Sequence, residues 1–284
     1  MPDPLPSVVI TGTSTGIGRA TALRLDAEGH RVFAGVRCED DGEALRRDAS
    51  DRLTPIPLDV TDTGAIEVAV KSVEARVGEA GLAGVVNNAG IGVGGPIEFV
   101  EIDDWRRQFE VNVFGPAAVI QAFLPLLRRA RGRIVNVSSA AGRVSHPVIG
   151  VYCASKFALE ALSDSLRVEV RGSGISVSVV EPGFIETPML DKAKAITAEA
   201  IEKLPPRGRE LYENALRKYD ATTEAFRKRA ATPDAVAKAI QHALTAPRPK
   251  TRYTVGLDSK ALSFLGWVLP DRARDAITGY LLGL

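Results

Sequence analysis

The sequence has few residues of the kinds that build metal clusters and disulfide frameworks. It contains 2 cysteines and 3 histidines among 284 residues. Cys38 and Cys153 are far apart and follow no paired spacing, so neither a disulfide framework nor a metal cluster can be built from them. We therefore expect no metal site and interpret both residues as free thiols in a reducing compartment, which makes the cytoplasm the expected location.

An excess of charge of either sign is also lacking. Lys and Arg number 36 against 35 Asp and Glu, which gives a formal net charge of +1. Proteins that bind the phosphate backbone of nucleic acids usually show a basic excess or a basic patch. Nucleic acid is therefore not expected as a partner.

Long apolar runs are missing as well. No run reaches the ~18 residues that a membrane span needs, and MPDPLPSVVITG at the start lacks the charged-then-apolar order of a signal peptide. We expect no transmembrane segment. The C-terminal tail, residues 258–284, has two short apolar runs separated by DRARD. It is interpreted as a packed tail or an oligomer contact, with weak contact to a membrane surface as the alternative.

The sequence does contain a regular alternation of strand-like and helical stretches. The strand-like stretches are SVVITG, RVFAGVR, LTPIPLDV, LAGVVNNAG, GRIVNVSS, GISVSVVEPG and RYTVGL. Continuous apolar strands that alternate with helices indicate a parallel sheet covered on both faces, with right-handed crossovers. The predicted fold class is α/β, a single doubly wound Rossmann-type domain over residues 1–284 with a seven-stranded parallel sheet. Residues 189–231, which are charged and broken by LPPRG, are interpreted as a helical lid inserted over the substrate site.

A glycine-rich loop joins the first predicted strand to the first helix. In VVITGTSTGIGRA the glycines follow a G-x3-G-x-G spacing. Missing side chains allow backbone N–H groups and a helix N-terminus to approach a pyrophosphate, and hydroxyl side chains add donors. The predicted cofactor-binding residues of this loop are Gly12, Ser14, Thr15, Gly16, Ile17 and Gly18.

The end of the second strand bears on the choice of cofactor. An acidic residue there would hold a ribose 2′-OH, but the sequence has Val36 followed by Arg37. An arginine can pair with a 2′-phosphate, which favours NADP(H). The alternative is that Arg37 is merely solvated and that Glu39, Asp40 or Asp41 holds the ribose, so that NAD(H) is used.

A tyrosine and a lysine stand four residues apart at the start of a predicted helix, VYCASKFALEAL. Tyr152 and Lys156 therefore lie on one helix face. A free phenol has a pKa of about 10, and the lysine ammonium is expected to lower it and so make Tyr152 a usable proton donor and acceptor. Ser139, at the end of the fifth strand, could hydrogen-bond a substrate oxygen. Asn112 lies three residues before a Gly-Pro pair that should disturb its helix and leave polar groups free to hold a water.

These motifs together resemble the short-chain dehydrogenase/reductase family. TGTSTGIG, NNAG, Asn112, VNVSS, YCASK and PGFIETPM occur in that family's order and spacing, strongly over about residues 5–190 and more loosely beyond. The resemblance implies that Asn112 holds a water that links Lys156 to solvent, and that Lys156 also holds the nicotinamide ribose. It implies a catalytic group of Asn112, Ser139, Tyr152 and Lys156.

The resemblance also implies further cofactor contacts, with Tyr152 and Lys156 among them. The adenine would lie against Asp59 and Val60. The adenosine ribose would lie over Asn88, Ala89 and Gly90. The nicotinamide carboxamide would meet Pro182, Gly183, Ile185 and Thr187.

The segments expected around the substrate are mostly apolar, which suits a hydrophobic alcohol or carbonyl compound. His146, in one of them, either lines the pocket or has no catalytic task. VFAGVR, the insertion and the end of the chain look like the retinol and hydroxysteroid dehydrogenase branch, so a steroid-like or retinoid-like substrate is implied. The predicted function is NADP(H)-dependent hydride transfer between the nicotinamide and a secondary alcohol or ketone, or a primary alcohol or aldehyde. The alternatives are a catalytically silent NADP(H)-sensing protein and an NAD-dependent alcohol dehydrogenase.

The resemblance further implies a homodimer or homotetramer. Two long helices, at about 103–129 and 151–171, would pair between subunits. The apolar face expected on the first of them consists of Val113, Ala117, Ile120 and Leu124.

Overall fold

A parallel sheet of seven strands organises residues 5–284, the part of the chain that the computed structural model describes. The interpretation of the N-terminus rests partly on residues 1–4, which lie outside the described residues. The sheet has the order β3-β2-β1-β4-β5-β6-β7. Its strands are β1 (Ser7–Ile10), β2 (Arg31–Val36), β3 (Leu53–Pro57), β4 (Gly84–Asn87), β5 (Arg133–Val137), β6 (Ser176–Pro182) and β7 (Arg252–Val255).

Helices cover both faces of this sheet, because successive side chains of each strand point to opposite faces and both sets are apolar. Val9, Phe33 and Val85 belong to the core on one face, whereas Ile10 and Val86 belong to the core on the other. The predicted fold class is confirmed. The helices are α1 (Gly16–Ala27), α2 (Glu39–Arg46), α3 (Thr63–Val77), α4 (Ile102–Phe109), α5 (Gly115–Ala130), α6 (Gly150–Glu169), α7 (Pro188–Lys203), α8 (Pro206–Arg227), α9 (Pro233–Thr245), α10 (Leu257–Val268) and α11 (Asp271–Leu282).

The long helix expected at 103–129 is interrupted where the Gly-Pro pair predicts a disturbance. A π-helical turn, Glu110–Phe114, separates α4 from α5 and carries Asn112. Pro116 lies just after this turn and lacks an N–H, so it cannot donate to a carbonyl of the turn. Wide turns of this kind are frequent at functional sites.

The apolar face predicted for subunit pairing contains a residue that its own chain buries. Ile120 is 3% exposed and packs in the core, so its assignment to a pairing face is wrong. An apolar stripe on a helix indicates that the stripe is covered, and the face that carries Ile120 is covered by the sheet of its own chain. The exposed large apolar residues of α6 and of the π turn before α5 include Phe114 and Phe157, which are 57% and 43% exposed.

The helical stretch Ile102–Ala130 is long and apolar enough to cross a membrane by length and composition alone. Its most apolar window has a mean hydropathy of 1.4, and 44% of that window is buried within the fold. Val119, Phe123 and Leu127 of this stretch pack in the core. Packing against the sheet accounts for its apolar character, so the stretch is weak support for a membrane span.

The inserted segment contains two helices, α7 and α8, which meet at Leu204 and Pro205. A small apolar cluster fixes them to the loop before α6 and to the end of the chain. Its buried members are Val148, Leu204, Ala215, Leu216 and Leu282. The insertion and the last helix are therefore packed as one unit beside the start of α6.

The last two helices, α10 and α11, expose much of their apolar surface. Trp267 and Tyr280 are 82% and 85% exposed. Other exposed apolar residues of this tail are Leu257, Phe264, Leu265, Val268, Ile277, Leu281 and Leu284. The tail is nevertheless attached at both ends, since Ser259 and Leu282 are buried.

Candidate active site

The predicted site residues lie along one edge of the sheet. Gly12 follows β1, Asn88 follows β4, Ser139 follows β5 and Gly183 follows β6. Because the strands are parallel, their carboxyl ends share this edge, which is where open α/β sheets bind ligands. The structure therefore brings together groups that the sequence places far apart.

The glycine loop has a backbone that few other residues could adopt. Gly12 and Gly16 have φ angles of 67° and 59°, in the left-handed region. A Cβ atom at Gly12 would lie 2.8 Å from the Cα of Ala89, and one at Gly18 would overlap the carbonyl oxygen of Gly12. The loop is thus pressed against the 88–90 segment, and the Nδ2 of Asn88 donates to the Gly12 carbonyl at 2.9 Å.

This loop fits a pyrophosphate. Helix α1 begins at Gly16, and Thr15, at its N-cap position, makes no side-chain cap hydrogen bond. The first N–H groups of α1 therefore receive no hydrogen bond from a Thr15 cap, and Ser14 and Thr15 add hydroxyl groups to the same loop, which suits an anion. Ile17 differs from the other residues of the loop, because its side chain packs against the core.

Arg37 and Asp59 lie close together at the adenosine end. Burial opposes the ionisation of Asp59, but hydrogen bonds from the N–H and hydroxyl of Thr61, with the charge of Arg37, hold its pKa below the usual value. Arg37 is exposed and forms no ion pair with any residue in 5–284. Val60 is buried, and its side chain packs against the Cα of Gly115.

Lys156 is buried beside Tyr152. Its Nζ donates to the Val137 carbonyl at 2.9 Å and lies 5.8 Å from the centroid of the Tyr152 ring. Burial lowers the pKa of Lys156 to about 8, against a raising effect of Glu160. Nζ also faces Gly90, where a Cβ atom would lie 3.8 Å away.

The pKa of Tyr152 departs from the sequence expectation. Burial raises it to about 12, and a hydrogen bond with Ser139 offsets only part of this rise. The expected lowering by Lys156 is wrong for this structure, because Nζ is held at the Val137 carbonyl and desolvation of the phenol dominates. Tyr152 is therefore a neutral phenol at neutral pH.

Asn112 connects the π turn to the segment after β4 and to the start of α6. Its Oδ1 accepts from the Ile91 N–H at 2.9 Å, and its Nδ2 donates to the Ile91 carbonyl at 3.0 Å and to the Ser155 hydroxyl at 3.2 Å. Protein groups thus engage its side chain, which fixes the chain just after Gly90. The contact of Asn112 with a water stays a prediction.

The loop after β6 reaches back to the glycine loop. The Gly183 N–H donates to the Val255 carbonyl at 2.9 Å, and Ile185 is buried. A Cβ atom at Gly16 would lie 3.2 Å from the Cγ2 of Thr187. Pro182, Gly183, Ile185 and Thr187 therefore bound the far side of the predicted cofactor site.

A buried cluster of charges behind the site was missed by the sequence reasoning. Glu181 and Glu160 are 1% and 5% exposed, and Arg252 lies 3.2 Å from the first and 3.0 Å from the second. Burial, followed by the charge of Glu160, raises the pKa of Glu181 to about 7, against the effects of Arg143 and Arg252. The sequence signal that could have pointed to this cluster was the spacing of Lys156 and Glu160, which lie one turn apart on α6.

Two further residues of this region, Tyr219 and Val148, were not identified from the sequence. Burial raises the pKa of Tyr219, on α8, to about 12, and Tyr152 contributes to this rise, so the two phenols lie near each other. Val148 has a φ of 61°, which is strained for a β-branched residue. Burial lowers the pKa of the His146 imidazole. The main-chain N–H of His146 donates to the Cys153 sulfur at 3.4 Å.

Comparison with known proteins agrees with this geometry. The model of the short chain dehydrogenase family matches residues 6–197. Human retinol dehydrogenase 5 is 43% identical over 281 residues, which cover 97% of this chain and 88% of the relative. Human 17-beta-hydroxysteroid dehydrogenase type 6 is 40% identical over 277 residues, covering 93% and 86% respectively. The crystal structure of a short-chain dehydrogenase from Streptomyces avermitilis has a TM-score of 0.78 at 30% identity and covers 99% of this chain and 97% of its own.

Proposed function

The chain belongs to the short-chain dehydrogenase family of oxidoreductases, which act on CH–OH groups with a nicotinamide cofactor, and from this premise we propose that it transfers hydride between NADP(H) and a hydrophobic alcohol or carbonyl compound. The observation that carries the proposal is the placement of half-buried Tyr152 and buried Lys156 beside Ser139, at the sheet edge that holds the glycine loop.

The cofactor supplies the hydride in reduction and accepts it in oxidation. Tyr152 provides the matching proton, and a phenol with a pKa of about 12 holds that proton at neutral pH. Ser139 donates a hydrogen bond to the substrate oxygen, on which negative charge develops. Lys156 is the cation beside the tyrosine, with its Nζ 5.8 Å from the ring centroid, and it would hold the nicotinamide ribose.

The preference for NADP(H) rests on Arg37. This guanidinium is exposed directly after β2 and close to Asp59. A planar guanidinium pairs well with phosphate oxygens. The acidic residues Glu39, Asp40 and Asp41 occupy the first turn of α2 and are the alternative ribose contacts that would go with NAD(H).

The proposed substrate class rests on the apolar surroundings of the tyrosine and on the relatives. Val148, Leu204 and Leu216 form an apolar cluster beside the start of α6. Two of the relatives are named for retinol and for a hydroxysteroid. A lipophilic alcohol or ketone of steroid-like or retinoid-like shape is the substrate we propose.

A fluorescence titration of the purified protein with NADPH and NADH tests the cofactor proposal. NADPH should bind more tightly, and Arg37→Ala should weaken NADPH at least about tenfold while NADH changes little. Arg47→Ala, at the opposite end of α2 and also exposed, is the matched control and should alter neither. Tighter binding of NADH by the wild type would overturn the preference and assign the ribose to the acidic residues.

A further inference from the structure

The loop that follows β6, residues 183–187, is held on two sides by other segments. On one side, Ala231 donates to the Phe184 carbonyl at 3.0 Å and accepts from the Glu186 N–H at 2.9 Å. The Phe184 ring also stacks on Phe226, with the ring centroids 5.1 Å apart. The end of the inserted segment therefore fixes one flank of the loop.

The other flank of the loop is fixed by the start of the C-terminal tail. The Oδ2 of Asp258 accepts a hydrogen bond from the Phe184 N–H at 2.6 Å. The next residue, Ser259, is buried, and its hydroxyl donates to the Glu181 carbonyl at 2.8 Å. Two consecutive side chains of α10 thus hold the backbone immediately before and after Pro182 and Gly183.

The hydrogen bond of the Asp258 carboxylate leads out of its own helix. Asp258 lies in the first turn of α10, where its negative charge also suits the helix dipole. Its Oδ2 atom receives the N–H of Phe184, 74 residues earlier. The contact is therefore directed at the loop.

The carboxylate of Asp258 is enclosed by two glycines. A Cβ atom at Gly183 would overlap its oxygens, and a Cβ atom at Gly256 would overlap Oδ1. Gly256 has a φ of 104°, a backbone conformation that would be strained for a residue with a side chain. Both positions must lack a side chain for this contact to form.

We propose that Asp258 is a positioning residue, which holds the 183–187 loop against the nicotinamide end of the cofactor. The inference rests on the proposed function, because it presupposes a nicotinamide at this loop. Loss of the carboxylate frees the Phe184 N–H and loosens the loop, whereas the adenosine end of the site, at Arg37 and Asp59, lies at the ends of other strands and is unaffected.

The test compares whole cofactor with its adenosine half by calorimetry. Asp258→Ala should weaken NADPH about tenfold, the loss expected for a hydrogen bond to a charged group. Binding of adenosine 2′,5′-bisphosphate, which has no nicotinamide, should stay within about twofold of the wild type. In turnover, the KM for NADPH should rise by a larger factor than kcat falls. If the wild type prefers NADH, the two ligands to compare are NADH and ADP.

Asp271→Ala is the matched control. Asp271 is an acidic residue in the first turn of the neighbouring helix α11 and bonds only Arg274 of its own helix, so its loss should leave both ligands unchanged. Should Asp258→Ala not fold, Asp258→Asn decides the question. The amide keeps an oxygen acceptor but not the charge, so NADPH should weaken about threefold with the bisphosphate unchanged.

Equal weakening of NADPH and the bisphosphate, or no weakening of either, would overturn the role of Asp258. Wild-type protein that binds neither NADPH nor NADH would instead refute the proposed function. The two failures are therefore distinguishable.

Discussion

Tyr152 is half-buried and keeps its proton at neutral pH, and this defines what the residue can do. Its pKa of about 12 keeps the hydroxyl protonated at neutral pH, so a proton is in place for transfer to a carbonyl oxygen. Acting as a base requires stabilisation of the phenolate, and Lys156 is the cation near its ring. Reduction therefore uses the ground-state protonation of the site, while oxidation must first remove a proton.

Removal of this hydroxyl separates catalysis from binding. Tyr152→Phe keeps the ring, so NADPH affinity should stay within about threefold of the wild type, while turnover falls by about 10²–10⁴, as expected for a lost general acid. Steady-state rates and a binding titration measure the two effects. Tyr280→Phe, an exposed tyrosine of α11, is the control and should behave as the wild type. Unchanged turnover or biological activity in Tyr152→Phe would favour the catalytically silent, cofactor-sensing alternative.

Glu181 should make folding stability depend on pH. Its folded pKa of about 7 lies above the ordinary value of 4.5, so the folded state binds the proton more tightly than the unfolded state. The contribution of Glu181 to stability is fully present below about pH 4.5 and is lost as pH rises through about 7. Glu181→Gln removes this loss. The midpoint of thermal unfolding of the variant, relative to the wild type, should be higher at pH 8 than at pH 5. The same difference at both pH values would contradict the buried, proton-binding state of Glu181.

The sequence allowed the prediction of the residues that act on the cofactor and not of those that surround them. Tyr152, Lys156 and Ser139 stand in short motifs whose spacing carries their chemistry. The burial of Glu181 depends on Arg252 and Glu160, which three different elements bring together. Such a contact has no local pattern, and for the same reason the bond between Phe184 and Asp258 could not be predicted.

At the scale of elements, the strands and the breaks in helices were easier to predict than what covers the apolar face of each helix. A run such as VVI is apolar on both sides, which is typical of an interior strand of a parallel sheet. The Gly-Pro pair predicted the disturbance that became the π turn. Ile120 was misassigned because periodicity identifies an apolar face but does not distinguish a subunit partner from the chain's own core.

The inserted helices should open independently of the sheet. They are held by a small cluster that includes Leu216, 1% exposed. Leu216→Ala should weaken that cluster by about 2–5 kcal/mol, so amides of α7, α8 and α11 should exchange hydrogen at least about tenfold faster while β1, β4 and β5 keep their protection. Hydrogen-exchange mass spectrometry measures this, and the KM for a lipophilic substrate should rise.

Leu211→Ala is the control on the same helix. Leu211 is 43% exposed, so its truncation should change exchange little. Faster exchange in the central strands of Leu216→Ala would mean that the insertion unfolds with the whole domain, contrary to the prediction.

At the scale of the whole molecule, the proposed dimer or tetramer rests on apolar surface that the chain leaves exposed on its long helices. Phe114 and Phe157 are the prominent examples. Light scattering should give at least twice the mass of one chain, and Phe157→Glu should shift it toward one chain because a charge in an apolar interface is costly. Val68→Glu, at an exposed apolar residue of α3, should leave the mass unchanged. A wild-type mass of one chain would refute the proposal.

The exposure of Trp267 gives the tail a spectroscopic use. The chain has 2 tryptophans, and the other, Trp105, is half-buried and stacked on Phe109. In Trp105→Phe the emission comes from an indole that is 82% exposed, and its spectrum should lie at the long wavelengths typical of an indole in water. A lipid bilayer or another protein that covers α10 would shift this emission to the blue and protect it from a soluble quencher. The tail therefore carries its own fluorophore, which reports any contact of that surface without a label.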